Sequence, residues 1–240
     1  MTITTFAEWR IAPYERNFSG ENACYTRART GASHRLLEGL ETLKALHTAF
    51  GRANLGRTRI FRMIAQRQYE QLQDAIFAVH SHAVYAVLDG SQVENLPQQL
   101  ADLESACLFS PPLDPMLDAA APRLVKLTPG CPGTELALRQ GWNIHWGIIL
   151  VTDGNVDLDA LRSHLRRNLR VRSPNGRPLL FRFFDPRAFR RVIPTMDAAQ
   201  RREFFGPILG AYVEGETADC LLHFSPNQTE PNVLPLAAAS

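Results

Sequence analysis

Arg182 stands in Leu179-Leu180-Phe181-Arg182-Phe183-Phe184, where every neighbour is apolar. A guanidinium withdrawn from water among such residues needs a carboxylate or several carbonyls to offset its desolvation. Asp185, three residues on, and Arg187 flank the next helix start, where a carboxylate also gains from the helix dipole. This spacing favours an internal Arg–Asp clamp tying strand to helix. The alternative role for Arg182, Asp185 and Arg187 is a polar anchor at a binding groove.

A second concentration of charge runs Arg162, Arg166, Arg167, Arg170, Arg172. Of the 26 basic residues only Lys44 and Lys126 are lysines, and arginines prefer planar, bidentate contacts with carboxylate or phosphate. Such a patch suits a nucleic-acid footprint. It also suits a solvated helix face, the simpler reading where no aromatic or Gly-rich RNA-binding signature accompanies it.

Catalytic signatures are scarce. No G-x-G-x-x-G follows the first strand and no G-x-x-x-x-G-K-[ST] occurs, so neither phosphate-cradling loop is present. There is no G-x-S-x-G elbow; Ser91, just after Asp89-Gly90, reads as a turn residue. His80 and His82 lie two apart without an acidic or thiol ligand nearby, and His145, His164 and His223 read as packed or surface histidines. Cys24, Cys107, Cys131 and Cys220 are scattered with no C-x-x-C pair, as expected of reduced thiols rather than a disulfide framework or zinc knuckle. A Cys/His/Asp triad converges only in space, so spacing neither supports nor excludes one built on Cys107 or Cys131. No catalytic residue, cofactor or metal is expected.

The elements that must position these groups follow from periodicity. With 45% hydrophobic and 21% charged residues the chain can bury a core. Its most apolar stretch, Trp146 to Val151, is far short of the roughly 18 residues of a membrane span. No basic segment followed by an apolar run opens the chain, so the expected compartment is the cytoplasm. The net charge of +2 hides a division: residues 1–82 carry +4, residues 83–160 carry −7 and residues 161–240 carry +5.

Residues 1–32 read as an irregular arm and Ser33 to Phe50 as an amphipathic helix, with a second helix from Arg67 to Val79. Strands are expected at Val84 to Leu88, Arg123 to Leu127, His145 to Val151 and Leu179 to Phe184, with a fifth at Ala218 to Phe224. Helices are expected at Leu96 to Ser105, Thr134 to Gln140, Asp157 to Arg170, from Asp185-Pro186 to Ile193, and from Asp197, with Gln200 as its capping-box partner. Pro174-Asn175-Gly176 reads as a turn. This alternation predicts an α/β fold: a mixed or largely parallel sheet of four to five strands flanked by helices, with a helical N-terminal extension. The expected divisions are 1–66 (extension), 67–224 (α/β domain) and 225–240 (flexible tail).

Five segments together resemble a bacterial family of unknown function associated with type VI secretion. They are His82 to Gly90, Ala121 to Leu127, Trp146 to Leu150, Leu161 to Val171, and the block Gly176 to Arg187. The resemblance covers residues 67–213 and leaves 1–66 unexplained. It implies a non-catalytic adaptor or chaperone that binds a secreted effector toxin in the cytoplasm and helps load it onto the VgrG spike. No nucleic-acid partner and no membrane insertion are expected. The surfaces offered for partners are the Arg-rich helix face (Arg162, Arg166, Arg167 and Arg170), the acidic stretch between Glu94 and Asp118, and the amphipathic helix from Ser33 to Phe50, with Arg182, Asp185 and Arg187 as further partner-binding candidates. Two other functions compete: a small α/β enzyme with Asp89, His145 and Asp185 gathered at the strand ends, and an arginine-rich nucleic-acid-binding module.

Overall fold

The computed structural model describes residues 63–172 and 177–237. The arm over residues 1–32, the helix from Ser33 to Phe50 and the turn at Pro174-Asn175-Gly176 lie outside them. At the heart of the described residues is β1 (His82–Leu88), whose last five residues are all buried. A strand buried on both faces must lie between two strands and two packed layers.

Around it stand β2 (Ser105–Cys107), β3 (Arg123–Leu127), β4 (Gly147–Asp153), β7 (Ile208–Glu214), β8 (Cys220–Phe224) and β9 (Asn232–Pro235), in the order β2-β3-β1-β4-β7-β8-β9. Every neighbouring pair is antiparallel. The expectation of a parallel or mixed α/β sheet of four to five strands is therefore overturned: the sheet has seven strands and is antiparallel.

Local geometry explains the difference. Between β1 and β3 the helices are α2 (Leu96–Gln99) and α3 (Pro115–Ala120). At four residues α2 is about 6 Å long, whereas β1 spans about 24 Å, so it cannot carry the chain back along the strand. The connection stays at one end of the sheet, and β3 enters beside β1 running the opposite way. β4 pairs with the other edge of β1, also antiparallel. Alternation of strands and helices conveys the order of the elements but not strand direction.

Helices cover both faces. On one, Tyr85, Val87, Leu124, Ile148, Leu150, Val213 and Phe224 pack beneath α5 (Leu158–Asn168), α6 (Pro186–Val192) and α7 (Ala198–Phe205). The ring of Phe204 meets Phe183, Phe189 and Phe205 edge-on and Phe181 at a tilt, at centroid separations of 5.5–6.1 Å, and edge-on contacts contribute beyond area burial. On the other face Val84, Ala86, Leu88, Val125, Ile149 and Leu221 meet α1 (Gln66–Ile76) and α4 (Pro132–Thr134) with its π-helical continuation Glu135–Gln140. Glutamines of α1 tie it to the C-terminal strands: Gln68 donates to the Ala218 carbonyl, and Gln71 accepts from the Ala237 N–H at 2.7 Å.

The caps expected at Asp185 and Asp197 are present: Asp185 accepts from Arg187 N–H at 3.0 Å and Asp197 closes a capping box with Gln200. Asp157 caps α5 as well, accepting from the Ala160 N–H at 2.7 Å. Several boundaries differ, among them these three. The helix at Leu96 stops at Gln99, and Ser105 instead opens β2. The helix after Asp157 stops at Asn168, and Arg170–Arg172 is a strand, β5. The strand expected over Leu179 to Phe184 is confined to β6 (Pro178–Leu180), which pairs with β5 as a separate two-stranded ribbon. Beyond it the chain turns so that Phe181, Phe183 and Phe184 are all buried, and the alternation of faces ends.

Candidate functional site

β1 and β7 finish, and β4 starts, at one end of the sheet, because each neighbouring pair is antiparallel. Asp89 follows β1, His145 precedes β4 and Glu214 closes β7. The segment after β6 and the helix α6 bring Arg182, Asp185, Arg187 and Arg190 to the same end.

The carboxylates lie beneath and the guanidiniums above. Asp89 is 2% exposed. It accepts from Ser91 N–H at 3.0 Å, from the Ser91 hydroxyl at 2.7 Å, and from Arg182. The side chain of Arg182 is 29% exposed and lies over the Phe184 ring, 5.7 Å from its centroid. Arg182 is thus tied to a carboxylate, as its apolar surroundings demand, but the partner is Asp89, 93 residues away, rather than Asp185.

Asp185 instead caps α6 and takes a two-pronged contact from Arg187, Nε at 3.0 Å and Nη2 at 2.8 Å. Burial raises the Asp185 carboxyl, but the Arg187 hydrogen bonds and charge, with Arg182 beyond, outweigh it and hold the group below its ordinary range. The same hydrogen bond raises Arg187, whose charge also interacts with Asp89 and Glu214. His145 Nδ1 bonds the buried Glu214 carboxylate, and Arg190 Nη1 donates to the Glu214 carbonyl at 2.6 Å. Nothing in the local pattern around Glu214 marked it beforehand.

Chemically this is a lattice of matched charges. The Ser91 hydroxyl donates to a carboxylate with no imidazole between them, an arrangement that does not raise its nucleophilicity. His145 with Glu214 forms an imidazole–carboxylate pair. Among the described residues no group of three or more His, Cys, Asp or Glu is arranged to hold a metal ion. His164 is buried against the Phe204 carbonyl, and His223 stacks on Tyr212 at 4.6 Å. Among the described residues no helix is long and apolar enough to cross a membrane.

The arginines of α5 divide by role. Arg162 Nε donates to the Cys107 carbonyl at 2.9 Å and Arg166 to the Ser110 hydroxyl, so both hold the segment after β2. Arg167 donates to the Ser163 carbonyl at 3.1 Å and faces His164 at 3.4 Å. Arg170 lies beyond the helix, exposed in β5.

The β5–β6 ribbon has a different character. Its register places Arg170 across from Leu180, Val171 from Leu179 and Arg172 from Pro178. Val171 is buried, while all three residues of β6 are exposed, Leu179 at 43% and Leu180 at 41%. Apolar side chains are thus presented at the surface, flanked by arginine.

A family model described as "Domain of unknown function (DUF4123)" matches residues 84–203, half of the chain. The match begins inside β1 and ends inside α7, so β7, β8 and β9 of the same sheet lie beyond it. No curated protein and no solved structure matches the chain.

Proposed function

The chain belongs to the DUF4123 family, a domain of unknown function, and from that premise we propose that it is a non-catalytic adaptor or chaperone of type VI secretion. In this reading it binds an effector toxin in the cytoplasm and assists its loading onto the VgrG spike. Two things support it: the resemblance of five segments to adaptors of this kind, and the surface chemistry of the segment in which that resemblance is strongest.

The observation that carries the reading is the exposure of Pro178, Leu179 and Leu180. Strand residues of this type normally bury their side chains against a core, and apolar side chains left exposed on a ribbon mark a surface for another protein. Here they sit on a ribbon held to the body of the domain by Val171 below and, just after β6, by the Arg182–Asp89 pair. The partner-binding residues proposed are Arg162, Arg166, Arg167, Arg170, Arg182, Asp185 and Arg187. Of these, Arg170 lies across from Leu180, while Arg162, Arg166, Arg182, Asp185 and Arg187 make contacts within the domain.

The test is affinity capture of the full chain from a strain that expresses the candidate toxin. The adaptor reading expects toxin and spike protein in the eluate, and recovery of neither refutes it. One observation favours a second reading, a small enzyme: the convergence of Asp89, His145, Asp185 and Glu214 at one sheet end. Turnover of a small compound by the purified chain, lost in His145→Ala with folding intact, would support that reading against the first.

A further inference from the structure

We infer that the outer edges of the seven-stranded sheet are closed to strand addition at the positions whose backbone faces outward, and that Pro231 and Pro235 keep a second copy of this chain from pairing with β9. This inference stands apart from the adaptor reading. An edge strand presents a row of unpaired N–H and C=O groups on which another chain can build, and an apolar, exposed edge is the greater hazard. β9 has that character: all four of its residues are exposed, Val233 at 61% and Leu234 at 38%.

The ladder determines which groups face outward. Along an antiparallel edge strand, residues that exchange hydrogen bonds with the inner neighbour alternate with residues whose N–H and C=O point away. The Leu236 N–H donates to the Asp219 carbonyl at 2.7 Å. By steps of two, Leu234 across from Leu221 and Asn232 across from His223 also bond inward to β8. Val233 and Pro235 therefore face outward, and the residue two before Val233, just ahead of the strand, is Pro231. Proline has no N–H. Of the residues 231, 233 and 235 only Val233 can donate, so a strand laid along β9 meets carbonyls with a missing donor on either side. The prolines remove no bond from the sheet itself, because its donors on this strand are Asn232, Leu234 and Leu236.

The opposite edge is closed by another device. The Lys126 N–H donates to the Glu104 carbonyl and the Leu108 N–H to the Pro122 carbonyl, each at 2.9 Å, which turns Ser105 and Cys107 of β2 outward. The Cys107 carbonyl is occupied by Arg162 Nε at 2.9 Å, and Arg166 holds Ser110 just beyond. With three residues and one outward acceptor already taken, β2 offers a second strand little to pair with. β9 is the longer edge, and its protection rests on the two prolines.

Pro231→Thr with Pro235→Thr restores an N–H at each blocked position with a residue suited to a strand. Sedimentation velocity of the full chain over a concentration series is expected to show self-association about tenfold tighter in this double variant than in the unmodified chain, with circular dichroism unchanged. Adding Val233→Lys, which places a charge on the opened edge, is expected to reverse the gain. In the unmodified chain the Val233 amide is expected to exchange with solvent rapidly while those of Leu234 and Leu236 are protected.

A folded double variant that associates no more than the unmodified chain overturns the inference, as does association that Val233→Lys leaves undiminished. A Val233 amide protected as well as that of Leu234 in the unmodified chain also overturns it, since the outward group is then already paired. Pro231→Ala with Pro235→Ala restores the same two donors and serves if the threonine pair does not fold, and the exchange measurement decides without any variant.

Discussion

Replacing Arg182 with leucine strands a carboxylate. Asp89 has a side chain 3% exposed, so without the guanidinium its charge is left with the two donors of Ser91 and the more distant charge of Arg187 to stabilise it. Breaking a fully buried pair costs about 3–5 kcal/mol, and an exposed pair is worth at most about 1 kcal/mol. With Arg182 partly open to solvent, the expected loss is about 2–3 kcal/mol, including its contact with the Phe184 ring. The converse change, Asp89→Asn, leaves a guanidinium that can turn toward water, and should cost only about 1 kcal/mol. The double variant should be more stable than Arg182→Leu alone, because Asn removes the charge that leucine left unpaired. Urea unfolding followed by circular dichroism reads all three. At roughly 2–4 °C per kcal/mol for a chain of this size, Arg182→Leu should melt about 4–12 °C lower. The reasoning fails if Asp89→Asn costs as much as Arg182→Leu, or if the double variant is the least stable.

Three further predictions rest on separate contacts. Asp197→Ala removes the acceptor for the N–H groups of Ala199 and Gln200 and should destabilise by about 1 kcal/mol in the same urea assay. Gly206 closes α7 at φ +50°, and a Cβ there would press into the His164 ring; Gly206→Ala should cost about 2–3 kcal/mol, read as a lowered melting temperature. Burial holds the His164 imidazole below its ordinary 6.5, against the pull of its bond to the Phe204 carbonyl, while Arg167 adds to the lowering. The unfolded chain therefore takes up a proton that the fold does not. The contribution is complete above pH 6.5 and is lost as pH falls through the lower folded-state value. Urea midpoints at pH 7.5 and at about pH 5 should differ less in His164→Gln than in the unmodified chain.

Much of the local structure was legible because local chemistry specifies it. Asp185-Pro186 and Asp197 with Gln200 announced two helix starts, and each caps as expected. The need of Arg182 for a carboxylate followed from its apolar neighbours. Its partner did not, because Asp89 is far away in the chain and Asp185, the nearest candidate, is engaged by Arg187 and the α6 backbone. Strand direction was equally hidden, since hydrophobic period reports burial and says nothing about which way a neighbour runs. β7 was missed although Ile208–Glu214 is apolar and bounded by Gly206-Pro207 and Gly215; Gly210 in its middle weakened the strand pattern. β9 is four residues of Asn-Val-Leu-Pro, whose place depends on β8 beside it. Leu179 and Leu180 read as one strand with Phe181 to Phe184 because composition alone does not distinguish a buried strand from a surface ribbon.

The most direct measurement of the central claim is native mass spectrometry of the chain co-expressed with its candidate toxin, alongside Leu179→Asp with Leu180→Asp. The account predicts a complex of chain and toxin that is lost in the double variant while its circular dichroism is retained. A complex formed equally well by the variant, or a wild-type chain that emerges free in the presence of soluble toxin, would contradict it.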